Sequence, residues 1–262
     1  MLNWKNLQKI NMTIRSITQE LEKIYPLNNQ DPWDFSGFSI RVKNYHRVLL
    51  KSILLTIDVT LDSIKYAIKN DVNLIITHHP FIFNNSIKED FKNNNYKIEI
   101  YNLCLQHGIS LYSLHTNFDS DNEGTSFQVA KMFFENLQVE IESKYSASVK
   151  VDITYDQLKK NLTKKGYPIF HKLIHKTNIE SFNKVIFFAG SGDYQSIYEM
   201  KDPNTVFVTS DIKWNEWILY HEEKINIIQI SHKVEQAFIK KIFNVLSNLY
   251  NKENIHMLKL EI

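Results

Sequence analysis

The chain has 262 residues and is nearly balanced in charge, with 31 Lys and Arg against 29 Asp and Glu for a net +2, and it is 43% hydrophobic. That length allows one large domain or two small ones with a real core, and the composition is that of an ordinary globular protein. The global charge calls for neither nucleic acid nor a membrane surface. The lone cysteine, Cys104, excludes an internal disulfide and a cysteine-based zinc cluster, so any metal site must be built from His, Asp and Glu.

No apolar run approaches the ~20 residues that span a bilayer, and Met1-Leu2-Asn3-Trp4-Lys5 lacks a signal-peptide core. A cytoplasmic location is expected. Helical patterning begins just after Met12, so residues 1–11 read as an extension and the start is open between Met1 and Met12. Ile14, Ile17, Leu21 and Ile24 fall at helical spacing, and Pro26 closes that helix. Asp31-Pro32-Trp33-Asp34 reads as a loop. Leu49 to Val59 is apolar and rich in β-branched residues, and Thr60 can cap a following helix with Ile64, Ala67 and Ile68 on one face.

Asn73-Leu74-Ile75-Ile76-Thr77-His78-His79-Pro80 is an apolar strand ending in two adjacent histidines and stopped by proline. A helix near Lys97–His107 ends at Gly108. The strand from Ile109 to Leu114 runs into His115-Thr116-Asn117-Phe118-Asp119. The stretch 131–182 mixes helical and strand-like pieces without clear chemistry. Strands are then expected at Lys184–Ala189, before Gly190-Ser191-Gly192-Asp193, and at Thr205–Thr209, before Ser210-Asp211. A helix with Trp214, Trp217 and Ile218 leads to a strand over Ile225–Ile230. The last long helix places Val234, Phe238, Ile242 and Leu246 in one row. This β-α-β rhythm predicts an α/β fold with parallel strands flanked by helices.

Polar groups cluster at the strand ends: Asp58, His78-His79, His115 with Asp119, and His232 with Glu235, with Asp211 similarly placed. Ligands of α/β sheets collect at the carboxyl ends of parallel strands, and imidazole is the commonest protein metal ligand. Neighbouring strand residues point to opposite sides, so His78 and His79 serve one ion only if the backbone turns; they could serve two ions side by side. His232 and Glu235 are three apart at a helix start and can reach one spot. His78, His79 and His232 with Asp119 and Glu235 would suit a dinuclear site for Zn, Fe or Mn. Two such ions with two carboxylates and a hydroxide carry a charge of about +1, which favours an anionic ligand such as phosphate, and they activate water. Read singly, Glu235 simply complements a helix dipole, Asp119 is a turn residue and the 190–192 glycines form a tight turn. His46, His107, His171, His175, His221 and His256 show no partner pattern and are read as structural or exposed.

Asp58-Val59-Thr60, LIITHHPFIF (Leu74–Phe83), HTNFD (His115–Asp119), the glycine turn, TSDIK (Thr209–Lys213) and SHKVE (Ser231–Glu235) occur in this order. Together they resemble the Nif-three-like family, also called dinuclear metal centre proteins or GTP cyclohydrolase 1 type 2 homologues, in its short form. The resemblance covers residues 12–262. It implies a two-lobed fold, approximately 12–130 and 131–262, of mixed, mostly parallel sheets flanked by helices. It further implies two divalent metal ions between the lobes and a homohexameric ring. By motif matching the metal ligands would be His78, His79, Asp119, His232 and Glu235, with His115 beside them as a proton donor or acceptor. Ser210 stands where the family usually has glycine, and Asn215 where histidine is common. The implied activity is hydrolysis of a nucleotide or phosphorylated small molecule. The cyclohydrolase label implies opening of the purine ring of GTP with loss of formate. The alternative is a non-enzymatic ring that binds nucleic acid or a protein partner, and the near-neutral charge argues against strong nucleic-acid binding.

Overall fold

A computed structural model describes residues 12–84, 86–92, 94–177 and 180–261, so the expected 1–11 extension lies outside the described residues. The strands in chain order are β1 (Gly37–Ile40), β2 (Ile53–Thr56), β3 (Leu74–Thr77), β4 (Ser110–Ser113), β5 (Val139–Ser143), β6 (Ser146–Thr154), β7 (Ile169–Leu173), β8 (Ser181–Phe188), β9 (Thr205–Thr209), β10 (Asn226–Ile230) and β11 (Ile255–Met257). They form a five-stranded sheet of order β1-β4-β3-β2-β11 and a six-stranded sheet of order β5-β6-β8-β9-β10-β7. The chain divides into two compact units, one running to Ser120 and resuming at Phe238, the other spanning Asp121–Ala237. Contacts thus draw the units differently from the expected break at 130/131. The final helix, Ala237–Leu249, packs its Phe238, Ile242 and Leu246 into the first core, and β11 pairs with β2 there.

In the first unit β2, β3 and β4 are parallel neighbours and fully buried. Alternate residues feed opposite faces, as a parallel sheet covered on both sides requires. Ile53, Leu55, Leu74 and Ile76 meet Ile14, Ile17, Leu21 and the final helix. Leu54, Ile75 and Leu111 meet Ile64, Ala67, Ile100 and Cys104 on the other side. Burial pushes the Cys104 thiol up to about 12, consistent with a core role for that side chain.

The helix starts follow their capping residues. Thr13 and Thr60 accept from the backbone N–H groups of Ser16 and Ser63, each at 3.1 Å, and those serines accept the threonine N–H in return. Gly108, at φ 66°, closes the helix Asn95–His107 in the left-handed conformation.

The second unit gives regular structure to most of the described residues of the stretch 131–182. Helices Thr125–Phe133 and Tyr155–Lys164 accompany the hairpin β5-β6 and the edge strand β7. The pairings of β6 with β8 and β10 with β7 are also antiparallel, so only β8-β9-β10 is parallel here. The expectation of a mostly parallel arrangement therefore holds for the first sheet and not for the second. Among the described residues no helix is long and apolar enough to cross a membrane.

The loop after the His-His-Pro sequence is fixed by a buried pair absent from the sequence reading. Lys97 Nζ donates to Asp90 Oδ1 at 2.9 Å and to the carbonyl of Phe81 at 2.7 Å. Asp90 Oδ2 accepts from the backbone N–H groups of Phe83 and Asn84 at 2.6 and 3.1 Å. Burial would raise the Asp90 carboxyl, but Lys97 and those two amides outweigh it and hold the group below its ordinary 3.8. The stabilisation from a depressed acid is present above the unfolded value and is lost as pH falls through the folded one. Asp90→Asn leaves the Lys97 ammonium buried without its counter-charge and is expected to cost about 3 kcal/mol at neutral pH. Denaturant unfolding should show that difference shrinking below about pH 4; equal stabilities at pH 7 would contradict the role.

Candidate metal centre

In the first unit the carboxyl ends of β2, β3 and β4 deliver Asp58, His78 with His79, and His115. The strand β3 stops at Thr77, whose hydroxyl donates to the carbonyl of His79 at 2.7 Å, while the His79 N–H donates to Ile57 O at 3.1 Å. The backbone therefore turns as the chain leaves β3, and the two consecutive rings sit side by side, centroids 5.0 Å apart. His78, His79 and His115 offer ligand atoms that all lie within 4.8 Å of one another.

Each ring is anchored at Nδ1. His78 Nδ1 lies 3.0 Å from Leu114 O, His79 Nδ1 lies 3.0 Å from both oxygens of Asp58, and His115 Nδ1 lies 2.8 Å from Asp34 Oδ1. An acceptor at Nδ1 assigns the proton there, so in the neutral ring Nε2 carries the lone pair. This is the pattern of metal-binding histidines, whose other nitrogen is tied to a carboxylate or carbonyl. Asp119 belongs to the helical turn Thr116–Asp119, which begins as its N–H donates to His115 O at 2.9 Å. Its Oδ1 stands 3.6 Å from His78 Nε2, beyond ordinary hydrogen-bond length and spaced for two donors to one cation.

Asp34 is the residue that sequence reasoning missed here. It is buried and accepts from Thr116 N, Thr116 Oγ1 and Ser36 Oγ as well as His115. Burial opposes its charge, but His115 and these hydroxyl donors prevail and hold the carboxyl far below the usual range. Only the Asp31–Asp34 loop pattern hinted at it, since His115 lies 81 residues away.

The second unit repeats the device at the ends of β8, β9 and β10, which supply Gly190, Asp211 and His232. His232 Nδ1 lies 2.6 Å from Asp211 Oδ2, and its Nε2 lies 2.8 Å from Glu235 Oε2. His232–Gln236 is a 3-10 turn capped by Ser231, where the sequence suggested the start of an α-helix. Residues three apart nearly eclipse in that geometry, which aligns His232 with Glu235.

Gly190, at φ 70°, gives this pair its room: a Cβ there would overlap Glu235 Oε1 and sit 3.6 Å from His232 Cε1. Its carbonyl accepts from Ser210 N, Asp211 N and Thr209 Oγ1, which ties the ends of β8 and β9 together. Ser210 is buried and its hydroxyl has no hydrogen-bond partner among the described residues, whereas Asn215 is exposed. The carboxylate-backed histidines thus occur in both units. Of the six singled-out residues, His78, His79, His115 and Asp119 converge in the first, and His232 and Glu235 in the second.

Two sheets flanked by helices, with anchored histidines at the ends of parallel strands, define an α/β scaffold that carries candidate metal-ligand clusters. The chain belongs to the Duf34/NIF3 (NGG1p interacting factor 3) family, whose model matches residues 12–262. It is 45% identical over 237 residues to a Mycoplasmopsis pulmonis protein named GTP cyclohydrolase 1 type 2 homolog, covering 90% of this chain and 94% of that one. It is 25% identical over 253 residues to the Helicobacter pylori protein named GTP cyclohydrolase 1 type 2, covering 92% and 97%. In fold it matches the crystal structure of a Staphylococcus aureus hypothetical protein with a TM-score of 0.76 at 23% identity, over 96% of this chain and 97% of that one.

Gly190→Ala is expected to destabilise the protein by about 2 kcal/mol or more, through left-handed strain plus the clash with Glu235. Gly166, at φ 88° with nothing within 4 Å of a Cβ, is the control for strain alone. Unfolding curves should show Gly190→Ala costing clearly more than Gly166→Ala; equal costs would remove the Glu235 contact from the account.

Proposed function

We propose that His78, His79, Asp119, His232 and Glu235 hold two divalent metal ions, Zn, Fe or Mn, and that the protein hydrolyses a nucleotide or phosphorylated small molecule there. The observation that carries this reading is the anchoring of His78 and His79 at Nδ1, which leaves Nε2 as the coordinating nitrogen of each ring, while His232 is held at Nδ1 by Asp211 and meets Glu235 at Nε2. The donor set of imidazoles and carboxylates without thiolate suits divalent first-row metals. The ions would supply Lewis-acid charge that activates water and steadies developing negative charge.

The remaining steps fall to the chain's own groups. Asp34 fixes the orientation of the His115 ring and balances its charge when it takes up a proton, so that Nε2 can receive a proton from attacking water and return it to the leaving atom. Asp58 and Asp211 do not touch the ions in this scheme; they hold His79 and His232 in aim. The names borne by the relatives favour a purine nucleotide, GTP first, as the substrate to try. Assembly into a homohexamer is part of the proposal, and light scattering should give a mass roughly sixfold that of the chain.

Elemental mass spectrometry is expected to find about two divalent ions per chain in the wild type. His79→Ala and Glu235→Ala should each lower that content while circular dichroism stays unchanged. Both variants retaining full metal would contradict the ligand set.

A further inference from the structure

Metal-ligand chemistry accounts for the polar groups of the first unit but not for the rings beside them. Trp33 is 59% exposed and Phe83 44% exposed, and neither belongs to either hydrophobic core of that unit. Both rings nevertheless approach the same imidazole. The Trp33 centroid is 5.8 Å from that of His115 at 79°, and the Phe83 centroid is 6.1 Å away at 84°. A single exposed aromatic residue needs no explanation, whereas two converging on a candidate proton carrier do.

The backbone under each ring is held by a buried carboxylate. Asp34, next to Trp33, donates its N–H to Asp31 O at 3.0 Å while its side chain binds His115 and Thr116. Asp90 accepts the N–H of Phe83 itself at 2.6 Å. Phe83 also lies 6.0 Å from the Lys97 ammonium on its inner side, but exposed rings outside both cores that stand on segments fixed by buried polar groups are preorganised for a ligand on their open side.

We propose that Trp33 and Phe83 are the specificity-determining wall of the site and receive a flat heteroaromatic ring, the base of a nucleotide, against His115. This rests on the functional reading above and narrows it: of a nucleotide and a phosphorylated compound without a base, the wall selects the nucleotide. Stacking on an aromatic face is tolerant of base identity, so the wall recognises the class and leaves the choice of base to polar groups.

Calorimetric titration of the metal-loaded protein with GMP and with ribose 5-phosphate, alongside metal content and light scattering, tests this. The wild type should bind GMP at least about tenfold more tightly than ribose 5-phosphate. Trp33→Leu and Phe83→Leu should each shrink that ratio roughly fivefold or more, with ribose 5-phosphate affinity and metal content unchanged, and Trp33→Phe should restore most of it. Equal affinities in the metal-loaded wild type, no binding of either compound, or an unchanged ratio in both leucine variants would overturn the wall alone. So would variants that change only the oligomeric state, since the rings would then serve contact between copies. A wild type that takes up no metal would overturn the functional reading, and this one with it.

Discussion

The strand-end imidazole rings of His78, His79, His115 and His232 are each held by an oxygen at Nδ1, and the other polar groups around them take their places from that constraint. Leu114 O, Asp58, Asp34 and Asp211 each remove one rotational and one tautomeric freedom from a histidine. An imidazole so held presents Nε2 in one direction, and a set of such rings can be aligned without any one of them choosing among rotamers. Two of these anchoring oxygens are themselves fixed. Leu114 O leaves the end of β4, and Asp34 is buried under hydroxyl and amide donors.

The alignment depends on where parallel strands end. Neighbouring strands β2, β3 and β4 are in register at Thr56, Thr77 and Ser113, so the residues just beyond them emerge together. Polar groups there need not interrupt a buried ladder, which is why the strand interiors are apolar while the loops carry acids and histidines. In the second unit β8, β9 and β10 do the same, and Gly190 shows how close the fit is. Its missing side chain is the space that the Glu235 carboxylate occupies.

Much of this was legible in the sequence where the signal was local. The Thr60 cap, the Gly108 stop, the strand Thr205–Thr209 and the strand-end histidines each lie within a few residues of the pattern that announces them. What escaped was mostly long-range or weakly patterned. The hydrogen bond from His115 to Asp34 spans 81 residues, and β11 returns to β2 from the far end of the chain. The strand β5 is only partly buried along its length and shows no clean alternation, and the helix Ile87–Lys92 is too short for periodicity to register. The sequence raised the question whether adjacent histidines could face one region. The bend after Thr77, a matter of two hydrogen bonds, answers it for His78 and His79.

Anomalous diffraction at the zinc edge from crystals of the full chain grown with zinc would show directly whether these rings hold metal. Peaks are expected about 2.0–2.1 Å from the Nε2 atoms of His78, His79 and His232, with the Nδ1 contacts to Leu114, Asp58 and Asp211 intact. Absence of ordered metal, or coordination through Nδ1 with those contacts broken, would contradict the proposed ligation.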